Sequence, residues 1–147
     1  MTDRDWSRLT RAEVSRFGHA TVGAALEREG FAVSESDDRG ITDLIATRAG
    51  QRLEVTVRTL RSLTYTYVEK HRFDLRADRC VALVLLLAER EPLAFLIPAQ
   101  AWRSPDAVLV SRDYEHAASR PEWGINVSRR NLALLERYAL RTGNHEQ

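Results

Sequence analysis

Along residues 53–58, LEVTVR, apolar and polar side chains alternate strictly. Leu53, Val55 and Val57 fall on one side and Glu54, Thr56 and Arg58 on the other, the period of a strand with one buried face. Upstream, Thr10 and Glu13 form the Ser/Thr-x-x-Glu pattern of a capping box, and Gly30 suits a left-handed C-terminal position, so a helix is predicted between them. Its apolar side holds Val14, Phe17, Thr21 and Ala25, with Val22 and Leu26 beside them. Gly18 and Gly23 interrupt it at a cost in helix stability, and are expected to permit close packing. A short strand at 31–36 and a turn at 37–40 should lead into a hairpin of strands 41–48 and 51–58. A loop at 59–66 and a helix at 69–79 should follow, with Phe73 and Ala77 on one side of the helix and Arg72, Arg76 and Arg79 on another. The run CVALVLLLA, residues 80–88, is too apolar to alternate, which predicts a central strand covered on both faces. LAFLIP reads as a further strand ended by Pro98, followed by a helical turn through Trp102. Residues 105–127 look irregular apart from a short strand at 107–110. Ser128 should cap a last helix to about Arg141 carrying Leu132, Leu135 and Tyr138. The order implies a mixed β-sheet flanked by helices, α/β or α+β, in a single domain over residues 1–147.

Composition narrows this picture. The chain of 147 residues is 44% hydrophobic and 29% charged, as in ordinary globular domains. Its net charge is +1, so affinity for nucleic acid would need a local basic patch. The single cysteine, Cys80, allows no internal disulfide and favours a reducing compartment. The charged N-terminal segment does not resemble a secretory signal. The longest apolar run falls short of the ~20 residues of a membrane helix. Together these point to a cytoplasmic protein without membrane contact. All the basic residues but Lys70 are arginine. This mostly reflects a coding bias towards arginine, with a slight hint that Lys70 is retained for use.

The hairpin carries candidate chemistry. A two-residue turn at Ala49-Gly50 would set Arg48 opposite Gln51 and Asp43 opposite Thr56, with Glu54 the diagonal neighbour of Asp43 at roughly 7–8 Å. Two carboxylates so placed can share a divalent ion. Mg²⁺ (or Mn²⁺) favours oxygen ligands, and Asp43, Glu54 and the backbone carbonyl of Val55 form a partial set. Such an ion would polarise a phosphate and generate a nucleophile from water. The competing expectation is an Asp and a Glu that simply face water. Residues 58–79 hold Arg58, Arg61, Lys70, Arg72, Arg76 and Arg79 against Glu69, Asp74 and Asp78. With Tyr65 and Tyr67 nearby, these basic residues are candidate phosphate contacts, or else a solvated helix face. His19, His71, His116, His145 and Cys80 show no metal-ligand spacing, and there is no P-loop, nucleophile elbow or dinucleotide fingerprint.

The segments RFGHATVGAALEREGFAV, GITDLIA and RLEVTVRT together resemble the PD-(D/E)XK nuclease superfamily. They are similar above all to its Holliday junction resolvase-like and restriction endonuclease-like domains and to small bacterial members. FLIPAQAW is similar to a later strand of those members. The resemblance implies a restriction endonuclease-like core, Mg²⁺-dependent phosphodiester cleavage, DNA as partner and, often, a homodimer. Carried over, Asp43 matches the motif aspartate and Glu54 the motif glutamate. Thr56 stands where the motif has lysine. The helix glutamate that the family often carries would fall at Val22, beside Thr21, and Glu13 lies on the far side of the helix. Lys70, and after it Arg58, are the expected stand-ins for the lysine. A lysine substituted at 56 is expected to set an ammonium beside the two acids and raise cleavage. Without a stand-in, the resemblance implies an inactive nuclease-fold module for DNA binding or protein interaction.

Overall fold

The computed structural model describes residues 5–37, 40–115 and 118–143. Asp38 and Arg39 of the expected turn, and His116 and His145, lie outside them. Helix α1, Arg11–Arg28, starts as the sequence predicts. The Thr10 side chain accepts from the Glu13 N–H and the Glu13 carboxylate accepts from the Thr10 N–H, satisfying two of the donors a helix leaves open at its start. Gly30, at φ 96°, takes the chain out of the helix.

Six strands form the main sheet: β1 (Ala32–Glu35), β2 (Leu44–Arg48), β3 (Gln51–Leu60), β5 (Arg79–Leu85), β6 (Leu93–Pro98) and β9 (Ala139–Leu140), adjacent in that order. The β2–β3 hairpin has the expected register, Arg48 opposite Gln51, through a turn whose Ala49 and Gly50 have φ 50° and 82°. Positive φ at both positions matches the right-handed twist of the flanking strands. β3 and β5 run parallel and every other pair is antiparallel. A second sheet has three strands in the order β4 (Tyr65–Glu69), β8 (Glu122–Asn126), β7 (Leu109–Arg112).

These elements stack in three layers. Val22, Leu26, Leu44, Val55, Val57, Ala82 and Val84 bury between α1 and one face of the main sheet. Val81, Leu83 and Leu85 point the other way, to Val68, Phe73, Trp102, Leu109 and Ile125 beneath the second sheet. β5 is thus covered on both faces, as its unbroken apolar run requires. Gly18 sets the spacing of the first layer. A Cβ built there would stand 1.8 Å from Thr59 Oγ1, so only glycine lets α1 lie directly on β3 at this point. Gly23 has no such contact, its nearest neighbour being Val33 at 3.8 Å.

Four expectations are corrected. Residues 69–79 are not a helix: β4 runs to Glu69, one 3₁₀ turn covers Lys70–Arg72, and the chain then reaches β5 without regular structure. Phe73 is fully buried there, edge-on to Trp102 at 6.0 Å, and its carbonyl accepts from Trp123 Nε1. Long-range packing of this one ring prevails over the local helical spacing. Arg72, Arg76 and Arg79 therefore form no helical stripe, and Lys70 does not begin a helix. The last helix shrinks to α2, Leu132–Leu135, and a 3₁₀ turn before β9. The short strand expected at 107–110 is present as β7, shifted to Leu109–Arg112, but the stretch expected to be irregular beyond it supplies β8, and β4 begins inside the expected 59–66 loop.

Candidate functional site

Asp43 sits one residue before β2, where the ladder to β3 has just begun. Leu44 opposes Val55. One residue earlier the pattern slips, and the Asp43 N–H returns to the Val55 carbonyl at 2.8 Å. The slip swings the Asp43 side chain to the end of the ladder. Its Oδ2 accepts the Val57 N–H at 2.7 Å. Its Oδ1 lies 3.9 Å from Nε2 of His19 on α1. Gly18 explains why His19 arrives there, since the residue after the close-packing glycine is drawn onto the end of β3. Both side chains keep about 30% of their surface open, 28% for His19 and 30% for Asp43. His19 borders a cleft of about 410 Å³ that is also lined by Arg16, Gly23, Ser34, Glu35 and Leu44, the residue after Asp43.

Glu54 belongs to the opposite layer, because it alternates with Val55, whose side chain packs under α1. Three guanidinium groups surround it: Arg52 Nη1 at 2.8 Å from one oxygen, Arg76 Nη2 at 2.8 Å and Arg79 Nη2 at 3.4 Å from the other. The Thr42 hydroxyl also donates to it at 3.2 Å. Hydrogen bonding from Arg52, then from Arg79, the charge of Arg76 and the Thr42 hydroxyl hold its carboxyl down at about 2, against the opposing effect of burial. Asp74 and Asp78 close the outside of this cluster on Arg76 and Arg79. Arg79 lies directly opposite Glu54 across the parallel β3–β5 pair, and its Nε is buried without a partner.

Thr56 is fully buried, and its hydroxyl donates to the Ile41 carbonyl at 3.0 Å. It is opposed by Val81 and so lies between the two sheets, clipping the lead-in to β2. Arg58 follows on the same face. Its Nε donates to the Tyr67 carbonyl at 3.1 Å and its Nη1 to the Val57 carbonyl at 3.2 Å. Its guanidinium is made less basic by burial first and by neighbouring Arg72 last, while Asp43 and Tyr67 act the other way. Lys70 stands elsewhere. Its Nζ bonds Ser111 at 2.6 Å and Asp113 at 3.0 Å, and lies 4.0 Å from the Trp123 ring centroid. Arg61 donates to the Trp6 and Leu9 carbonyls. Burial raises the Cys80 thiol to about 12, which leaves it a packing residue.

The structure thus brings Arg52, Arg76 and Arg79 to Glu54 and brings His19 to Asp43, but gives the two acids separate partners. Among the described residues no group of three or more His, Cys, Asp or Glu side chains is placed to hold a metal ion. Sequence reasoning passed over His19, whose signal was its place beside Gly18. It also passed over Arg52, whose signal was its position two residues from Glu54 on one strand face.

The chain overlays the Holliday junction resolvase of Archaeoglobus fulgidus with a TM-score of 0.53 and 14% identity, covering 91% of this chain and 98% of that one. It overlays a bacterial homing endonuclease with a TM-score of 0.50 and 15% identity, covering 76% of this chain and 86% of that one. The chain has the PD-(D/E)XK, restriction endonuclease-like fold. No family model matches the chain, and no curated protein does. At such identities the likeness fixes the PD-(D/E)XK fold and leaves the chemistry to the residues themselves. Among the described residues no helix is long and apolar enough to cross a membrane.

Proposed function

We propose that this protein is a nuclease-fold nucleic-acid-binding module that does not cleave through the Asp43–Glu54 hairpin. One observation carries the reading: Glu54 is enclosed by Arg52, Arg76 and Arg79 at 2.8, 2.8 and 3.4 Å. A carboxylate that already neutralises guanidinium groups has little charge left for Mg²⁺, a cation that also demands near-octahedral geometry. The rest of the motif points the same way. The Val55 carbonyl takes the Asp43 N–H, and one Asp43 oxygen takes the Val57 N–H. The residues present do not fit a divalent-metal centre of the kind the fold implies. Lys70, as a stand-in for the missing lysine, is paired with Asp113. The nucleic-acid half of the reading rests on the fold, since the two neighbours are a Holliday junction resolvase and a homing endonuclease.

The test is a plasmid and branched-DNA cleavage assay with Mg²⁺ or Mn²⁺, run beside a binding assay on the same DNA. We expect binding that weakens with salt and no metal-dependent cleavage in wild type or in Glu54→Gln. Metal-dependent cleavage abolished by Asp43→Ala would overturn the reading. It would favour an enzyme built on the one acid that keeps an open side, Asp43 with His19 at 3.9 Å beside the α1 cleft.

A further inference from the structure

The second sheet has an inner face, Val68, Leu109 and Ile125, packed into the core, and an outer face that carries two tyrosines. Tyr65 and Tyr67 alternate along β4 and point outward together. Their rings stack at 6.1 Å between centroids with 21° between planes. Tyr65 lies flat across β8 because Gly124 has no side chain: a Cβ there would stand 2.1 Å from the Tyr65 hydroxyl oxygen. That hydroxyl and the Tyr114 hydroxyl both donate to Glu122, which is buried. Arg112 lies over the Tyr65 ring, 4.3 Å from its centroid. Tyr65 is therefore held by Gly124, Glu122 and Arg112. Tyr67 is not. It is 46% exposed, one of few large apolar side chains so open.

The charges around Tyr67 suit an anion. Arg58 is anchored to the Tyr67 carbonyl itself and is near enough to Arg72 for the two like charges to oppose each other. Arg72 has no acid partner among the described residues, unlike Arg76 and Arg79, which are tied to Glu54 and Asp74. The acids of the outer face are engaged: Glu122 by the two tyrosines, and Glu69 by facing His71 at 3.6 Å. An open, rigidly backed aromatic ring on a strand whose backbone is held by one guanidinium, with a second like charge close by, matches the repeating unit of a single strand, one base face and one phosphate. A duplex would offer Tyr67 no base face, since its bases are stacked on one another.

We propose that the outer face of the three-stranded sheet is a stacking platform for unpaired bases of single-stranded nucleic acid. Tyr67 takes a base, and Arg72, with the charge of Arg58 behind it where that side chain reaches the Tyr67 carbonyl, takes the adjoining phosphate. The proposal rests on the nucleic-acid reading above and names its surface and substrate class. Its test is fluorescence anisotropy with a labelled oligothymidylate and, separately, a duplex of equal length. The comparison uses wild type, Tyr67→Ala, Tyr67→Phe and Arg72→Ala, with thermal melts to confirm folding. Wild type should bind the single strand more tightly than the duplex. Tyr67→Ala should weaken single-strand binding about 5–100-fold, as loss of one aromatic stacking partner does, while Tyr67→Phe keeps it. Arg72→Ala should lower the log–log salt slope by about 0.7, the value for one phosphate on a single strand. Single-strand binding unchanged by Tyr67→Ala overturns the platform. Binding to duplex alone also overturns it but leaves the broader reading standing, whereas no binding to either probe overturns both.

Discussion

The β2–β3 hairpin and the outer face of the three-stranded sheet invert each other. The hairpin spells a recognisable motif, yet its motif side chains are engaged inside the molecule, with only one Asp43 oxygen left on an open side. Glu54 is bound to three arginines, Asp43 caps a strand N–H, and the Thr56 hydroxyl holds the Ile41 carbonyl. The small sheet spells no motif, only tyrosines near basic residues, yet it leaves Tyr67 open, and Arg72 in the turn after β4 has no acid partner among the described residues. A motif locates residues in a fold. What they can do depends on which of their lone pairs and donors are still free.

That contrast can be broken most severely at Thr56. A lysine there was expected to supply a missing ammonium beside two acids. Its position is fully buried between the sheets, opposite Val81, so Thr56→Lys would bury a charge and remove the clip on Ile41. We expect a loss of about 3–5 kcal/mol in denaturant unfolding and no gain in cleavage. A stable, metal-dependent Thr56→Lys nuclease would make the hairpin a poised site after all.

The next largest effect tests the packing that brings His19 to Asp43. Gly18→Ala forces a methyl against Thr59 and should cost about 1–3 kcal/mol, despite the ~1 kcal/mol that alanine gains over glycine in a helix. Thr59→Ala in the same chain should recover part of it, with a coupling of about 1 kcal/mol or more in a double-mutant cycle. Additive losses would mean that α1 is not held by this contact.

Glu54 gives a smaller effect, visible only in acid. Its carboxyl titrates near 2 in the folded chain, against 4.5 for the ordinary group. A depressed folded value means that its stabilisation is full above about pH 4.5 and drains as pH falls through about 2. With screening, we expect on the order of 1–2 kcal/mol. The pH dependence of melting in that window should flatten in Glu54→Gln, and an unchanged profile would mean that the arginine cluster contributes nothing. The smallest effect sharpens the other half of the contrast. Tyr67→Ala should shift stability by no more than about 0.5 kcal/mol while changing single-strand binding. A large loss of stability would make Tyr67 a packing residue.

The first sixty residues were legible because each signal there is local. The capping box of Thr10 and Glu13, the alternation in β3 and the Ala49-Gly50 turn need no distant partner to be read. The middle was not, because Phe73 takes its conformation from Trp102 and Trp123, neither of which is near it in the chain. The candidate site was half legible. Alternation separates Glu54 from Val55 correctly, and the two-residue turn sets the Arg48–Gln51 register. Sequence does not show that the ladder slips at Asp43, nor that Arg76 and Arg79 turn inward to Glu54.

The path of the chain between β3 and β5 has a consequence for how the molecule assembles. Parallel neighbours need a crossover, most often a helix. Here residues 61–78 make that crossover, and they contain β4, the first strand of the other sheet. The central pairing of the large sheet cannot close until the chain has travelled out to where the small sheet will stand and back. Neither sheet is then a separate cooperative unit. Their interior amides should open together, on one timescale and at one free-energy level, rather than as two modules joined by a tether.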